Sequence, residues 1–246
     1  MNQIHKLNIG IIGGGQLGKM ILSESNRMSL NTSVLDSNKN SPCKNLTNNF
    51  IVGDLNNYND VLEFGKKCDI ITFEIEHINV DALTQLQKSG KKVYPKPETL
   101  SIIQDKSKQK IFYNENNLPT SEFKFLSNIN ELKKHINEGK IDFPCVWKKT
   151  KFGYDGFGVK ILNSKNDILD LPDCEMIIED FVSFKKELAV IVARNLNGDI
   201  ETFETVEMEF NSDSNQVEFV ISPARISKEL KRKAKEIAIE TTKKID

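Results

Sequence analysis

The sequence predicts an α/β chain in which a doubly wound parallel sheet is followed by an α+β region. Three observations carry this. Strand-like and helix-like apolar patterns alternate through about the first hundred residues; a glycine-rich turn joins the first such pair; and beyond "YPKPE" the rhythm changes to strands joined by turns.

The first strand is the apolar run Ile9-Gly10-Ile11-Ile12, and Leu17, Met20 and Ile21 give the following segment a helical apolar face. Thr32 to Leu35 form a second strand closed by Asp36, a third runs from about Asn49 to Val52, and a helix surrounds Val61, Leu62 and Phe64. "CDIITFEIEH" reads as a strand and "NVDALTQLQKSG" as an amphipathic helix with Gly90 at its C′ position. Pro95 and Pro97 then favour an extended connector, and Pro97 can open one long helix through "ETLSIIQDKSKQKIFYNENN". A domain boundary is expected there, giving domains 1–97 and 98–246. Farther on, Trp147 lies on a strand, "CEMIIEDFV" is another, and Asn197-Gly198 signals a two-residue hairpin turn. The final helix starts at Ser227 as N-cap and sets Leu230, Ala234, Ile237 and Ile245 on one face.

A chain of 246 residues can bury a substantial core. With 34 Lys and Arg against 35 Asp and Glu the net charge is −1, so no global field favours nucleic acid or an anionic membrane, and any anion must be held locally. Cys43, Cys68, Cys145 and Cys174 are far apart and read as reduced thiols; His5, His77 and His135 have no metal-ligand spacing. The N-terminus lacks a signal-peptide pattern and no stretch approaches a membrane span, which makes the cytoplasm the expected location.

Two glycine clusters carry the candidate chemistry. Gly13, Gly15 and Gly18 stand in G-x-G-x-x-G register between a strand and a helix, where free N–H groups at a helix N-terminus can receive a phosphate. Asp36 lies where a dehydrogenase would place its ribose-binding carboxylate, although such a turn also serves only to pack helix on sheet. The second cluster, "VWKKTKFGYDGFGV", puts Lys148 on a strand with Gly153, Gly156 and Gly158 in the loop after it. A flexible hairpin entered by a lysine suits a nucleoside triphosphate, because backbone N–H groups follow the phosphates while the ammonium neutralises them. Glu179 ends a later strand and Glu187 follows eight residues on. Those carboxylates could accept from an adenine amino group or a ribose hydroxyl, with the backbone of Phe181 and Val182 reading the base edge. On composition alone, solvated strand ends are the simpler reading of both. Glu74 and Glu76 share a strand face by period-two spacing.

Taken together, "GIIGGGQLGKM", "TFEIEHI", "PKPETLSIIQDKSKQK", "NNLPT", "KKTKFGYDGFG" and "IIEDFVSFKKE" resemble, in order, the N5-carboxyaminoimidazole ribonucleotide synthetase family, ATP-grasp ligases of purine biosynthesis. The resemblance implies a Rossmann-like pre-ATP-grasp sheet followed by an incomplete α+β ATP-grasp domain, with a lid at about 112–182 and part of the core at 183–246. It implies MgATP and bicarbonate forming carboxyphosphate, whose carboxyl group is captured by the amine of 5-aminoimidazole ribonucleotide (AIR). Lys106 and Lys148 would contact ATP phosphates, and Gly153 through Val159, including Gly156, Phe157 and Gly158, would form the loop closing over them. Glu179, Asp180, Phe181 and Val182 would hold adenine, and Glu187 the ribose. Tyr154 and Asp155 would reach AIR as the catalytic pair, Asp155 accepting from its amine; Gln16, Leu17 and Glu76 would form the other wall. The opening loop is expected to face the phosphate or ribose side of AIR rather than NAD.

Two departures accompany the resemblance. Phe210 stands where many members have histidine, so no polar role carries over. The family also continues into Mg²⁺-binding carboxylates and basic AIR-binding residues beyond the equivalent of Asp246. The chain is therefore expected to be inactive alone, with a non-catalytic nucleotide-binding module as the alternative, and a homodimer is a family-level expectation.

Overall fold

The computed structural model describes residues 6–151, 153, 158–211 and 216–245. It divides into two compact units, Met1–Gln104 and Asp105–Asp246.

In the first unit, β1 (Asn8–Ile12), β2 (Asn31–Asp36), β3 (Phe50–Val52), β4 (Ile70–Phe73) and β5 (Lys92–Val93) form one parallel sheet in the order β3-β2-β1-β4-β5. Helices α1 (Gln16–Arg27), α2 (Tyr58–Lys66) and α3 (Val80–Lys88) alternate with the strands. Asn57 and Asn79 cap α2 and α3 through side-chain oxygens, and Gly90 at φ +91° follows α3 as its C′ residue. Ile12, Leu35, Phe64, Ile71, Leu83 and Leu86 fill the main core. The expected strand through His77 stops at Phe73, its last residue paired with β1. Glu74 and Glu76 therefore do not share a strand face.

The expected long helix after Pro97 is two helices, α4 (Pro97–Ile103) and α5 (Lys106–Glu115). Asp105 divides them: its carboxylate accepts from the N–H groups of Ser107 and Lys108 and caps α5. Leu100 of α4 is 1% exposed and belongs to the first core. The unit boundary accordingly falls after Gln104 rather than after Pro97, because prolines punctuate the backbone while packing decides the domain.

In the second unit, β6 (Phe123–Leu126), β7 (Cys145–Lys149), β8 (Val159–Leu162) and β9 (Met176–Asp180) form an antiparallel sheet in the order β6-β9-β7-β8. Leu126, Cys145, Trp147, Met176 and Ile178 pack with Leu132 and Ile136 of α6 (Ile129–Asn137). Next come β10 (Glu187–Ala189), β11 (Val192–Arg194), β12 (Ile200–Thr202), β13 (Val206–Phe210), β14 (Val217–Ile221) and α7 (Lys228–Lys244), capped by Ser227 as expected. Here β10, β13 and β14 form one antiparallel sheet and β11 and β12 another. The β11–β12 turn is not the two-residue form. Asn195 N–H donates to the Asp199 carbonyl and Gly198 N–H to the Asn195 carbonyl, with Gly198 at φ +90°. That pattern is a three-residue loop whose last glycine is left-handed. No helix among the described residues is long and apolar enough to cross a membrane.

Candidate functional site

Strand alternation puts Trp147 and Ile178 on the core face of the second unit's larger sheet, and Lys148, Ile177 and Glu179 on the other face. Val146 lies opposite Glu179 and Lys148 opposite Ile177, which makes Lys148 and Glu179 diagonal neighbours. Lys148 Nζ lies 3.0 Å from Glu179 Oε2. Lys110 of α5 brings a second ammonium to the same oxygen at 3.2 Å, and Ser121 Oγ donates to it at 2.8 Å. Lys110 Nζ also reaches Thr120 Oγ1 at 2.6 Å and Ser121 Oγ at 2.8 Å, and lies 5.7 Å from the centre of the Phe123 ring.

Glu179 and Lys110 are both buried. Burial alone would raise the Glu179 pKa, but Lys148, the Ser121 hydroxyl and Lys110 outweigh it and hold the carboxyl below its ordinary value. Burial lowers the Lys110 pKa against the pull of Glu179. Two cations thus meet one anion at the foot of the glycine hairpin, and Lys148 is the more exposed of the two. A buried charge cluster is poor cement compared with apolar packing, so its value lies in what it can bind.

The remaining expected positions surround this cluster unevenly. Lys106 opens α5, and its N–H donates to the carbonyl of Thr150, two residues beyond Lys148. Gly153 is half-buried; Gly158, at φ +82°, would bring a Cβ to 3.4 Å from Gly153 Cα, so a side chain there would crowd the stem of the loop. Val159 pairs with Lys148 across the hairpin. Asp180, Phe181 and Val182 follow Glu179 exposed to solvent, and Glu187 opens β10 half-buried. Tyr154, Asp155, Gly156 and Phe157 lie outside the described residues. Lys110, Thr120 and Ser121 are the residues that sequence reasoning missed. Their signal was the i, i+4 step from Lys106 to Lys110 within "DKSKQK".

Around the first glycine turn, the N–H groups of Gly14 and Gly15 already have carboxylate partners. Gly14 N–H donates to Asp36 Oδ2 at 2.6 Å, Asn38 N–H to Asp36 Oδ1 at 2.6 Å, and Gly15 N–H to Glu74 Oε1 at 3.1 Å. Asp36 therefore braces the turn rather than awaiting a ribose. The chain's own carboxylates thus occupy the N–H groups of Gly14 and Gly15 in the loop expected to face the phosphate or ribose side of AIR. Gln16 and Leu17 stand exposed at the start of α1. Glu76 is exposed beside His77, with 3.5 Å between Oε1 and Nε2.

The carboxylates near the chain's end are each engaged by a cation: Glu207 by Lys186 and Arg225, Glu209 by Arg225, and Glu204 by Lys235. Among the described residues no group of three His, Cys, Asp or Glu is arranged to hold a metal ion. Paired in this way with Lys186, Arg225 and Lys235, these carboxylates do not suit Mg²⁺.

The description "ribonucleotide synthetase preATP-grasp domain" matches residues 6–104, and "ATP-grasp domain" matches residues 111–246. The chain belongs to the ATP-grasp family. It is 35% identical over 238 residues to the N5-carboxyaminoimidazole ribonucleotide synthase of Bacillus subtilis, covering 94% of this chain and 60% of that protein. The N5-carboxyaminoimidazole ribonucleotide synthetase structure from Thermotoga maritima superposes with TM-score 0.86 at 36% identity, over 97% of this chain and 61% of that one. The Aspergillus clavatus N5-carboxyaminoimidazole synthase, solved in complex with ADP and AIR, gives TM-score 0.87 at 30% identity, over 98% and 63%. The chain spans 41–43% of the fungal relatives named phosphoribosylaminoimidazole carboxylase. The ATP-grasp assignment accords with the parallel sheet, the second antiparallel unit and the glycine hairpin.

Proposed function

We propose that the chain forms the pre-ATP-grasp and lid portion of an ATP-dependent ligase that carboxylates AIR with bicarbonate. In this reading a bicarbonate oxygen attacks the γ-phosphorus of ATP, giving carboxyphosphate and ADP. The AIR amine then bonds to the carboxyl carbon, phosphate leaves, and the amine gives up a proton. Bringing two anions together requires fixed positive charge and excluded water.

The observation that carries the proposal is the pairing of Lys148 and Lys110 with Glu179 at the foot of the glycine hairpin. Lys148, the more exposed cation, turns to the phosphates when ATP arrives, while Lys110 stays on Glu179 and keeps it ionised. Glu179 through Val182 hold the adenine edge, Glu187 the ribose, and Lys106 with Gly153 to Val159 the phosphates. Gln16, Leu17 and Glu76 contact AIR. MgATP is the nucleotide the family would use, with the cation neutralising its phosphates.

Calorimetric titration of ATP against wild type and Lys148→Met tests the reading. Loss of one charge-assisted hydrogen bond of about 1.5–3 kcal/mol predicts a fall in affinity of roughly ten- to a hundredfold. Equal ATP affinity in a folded variant would remove Lys148 from the site.

A further inference from the structure

The first glycine turn has the spacing of a pyrophosphate-binding loop and a different occupant. In such loops the second glycine lets the pyrophosphate approach the backbone. Here Gly15 lets in Glu74. A Cβ at Gly15 would lie 3.1 Å from Glu74 Oε1, and one at Gly13 would lie 2.7 Å from the same oxygen. Gly14 is flanked by Asp36 and Ser41: a Cβ there would lie 3.0 Å from Asp36 Oδ2 and 2.7 Å from Ser41 Oγ. The absent side chains thus accommodate two carboxylates, one reaching in from the end of β2 and one from just beyond β4.

We infer that Glu74 and Asp36 are specificity-determining residues that make this loop refuse phosphate. Each accepts an N–H that a phosphate would otherwise claim, Glu74 from Gly15 and Asp36 from Gly14, and their negative charge opposes an incoming anion at the N-terminus of α1. Gly15, the N-cap of α1, has no side-chain cap of its own, and its N–H is held by the Glu74 carboxylate at 3.1 Å. Gln16 and Leu17 consequently present their exposed side chains to an uncharged or amine-bearing edge of a ligand. This last step rests on the AIR reading above; the exclusion of phosphate does not.

The test uses the whole chain, isotopically labelled, and inorganic pyrophosphate as probe, with the amide resonances of Gly14, Gly15 and Gln16 as the readout. Wild type is expected to show no saturable shift at these amides at millimolar pyrophosphate. Glu74→Ala vacates the seat and is expected to bind pyrophosphate at the loop at least about tenfold more tightly than wild type. Glu74→Gln keeps the acceptor and removes only its charge, so its gain should be smaller. Asp36→Asn provides an independent variant should Glu74→Ala fail to fold. Saturable loop shifts in wild type, or no gain in any folded variant, would overturn the inference. Unchanged ATP affinity in a folded Lys148→Met variant, with these loop results as expected, would count against the ligase reading and leave phosphate exclusion standing.

Discussion

Glu207 shows how a single carboxylate can hold a small sheet. It is 3% exposed; Oε1 accepts from Lys186 Nζ at 2.7 Å and from Arg225 Nη2 at 2.8 Å, and Oε2 accepts from the Arg225 N–H at 3.1 Å. The Arg225 and Lys186 hydrogen bonds bring its pKa down from 4.5 to about 2. A carboxyl whose folded pKa is depressed stabilises fully above its unfolded value and loses that contribution as pH falls through the folded one. Stability attributable to Glu207 is therefore present at neutral pH and fades between about 4.5 and about 2. Glu207→Gln should lower the urea midpoint at neutral pH and flatten its decline across that acid window. Parallel pH profiles for variant and wild type would show that the network contributes nothing there. Lys186 precedes Glu187, so this network also steadies the strand that carries the proposed ribose contact.

At the scale of elements, α1 meets β1 through Gly18. A Cβ at Gly18 would lie 2.5 Å from the Gly13 carbonyl oxygen, a backbone atom that no side-chain rotation can move. Gly18→Val should therefore displace the helix start and cost on the order of 1–3 kcal/mol, read as a drop in urea midpoint with altered Gly14 and Gly15 amide shifts. Unchanged stability would mean that α1 slides without resistance. Elements of this kind were legible in sequence: periodicity and glycine spacing gave the order of strands and helices, and the hairpin entered by Lys148 was apparent from its glycines. Packing and competing caps decided the rest. Asp105 is itself a weak helix former and a favoured N-cap, a signal masked by the helical residues around it, and its carboxylate claims two N–H groups and begins a new helix. Nothing local in sequence marks the pairing of Lys110, because its partner, Glu179, is distant along the chain. Glu74 fell on an extrapolated strand because alternation does not reveal where pairing with β1 ends.

At the scale of the molecule, burial is uneven. In the first unit α3 buries Ala82, Leu83 and Leu86, and each fully buried large aliphatic side chain contributes roughly 1.5–3 kcal/mol. The 17-residue α7 buries none of its residues, and Leu230 is 50% exposed. Its intrahelical pairs, such as Arg232 with Glu236, lie at the surface, where ion pairs add little. A helix of this length is marginal without tertiary packing, and the two-stranded β11–β12 sheet beside it is no stronger a platform. Local opening should therefore cost far less at α7 and β11–β12 than at β1, β4 and α3. Native-state hydrogen exchange is expected to show amides of β1 and α3 protected close to the global limit, while those of α7 exchange early and with little dependence on the stability of the first unit. Protection of α7 equal to that of β1 in the 246-residue chain would show that the helix is already held as firmly as the core.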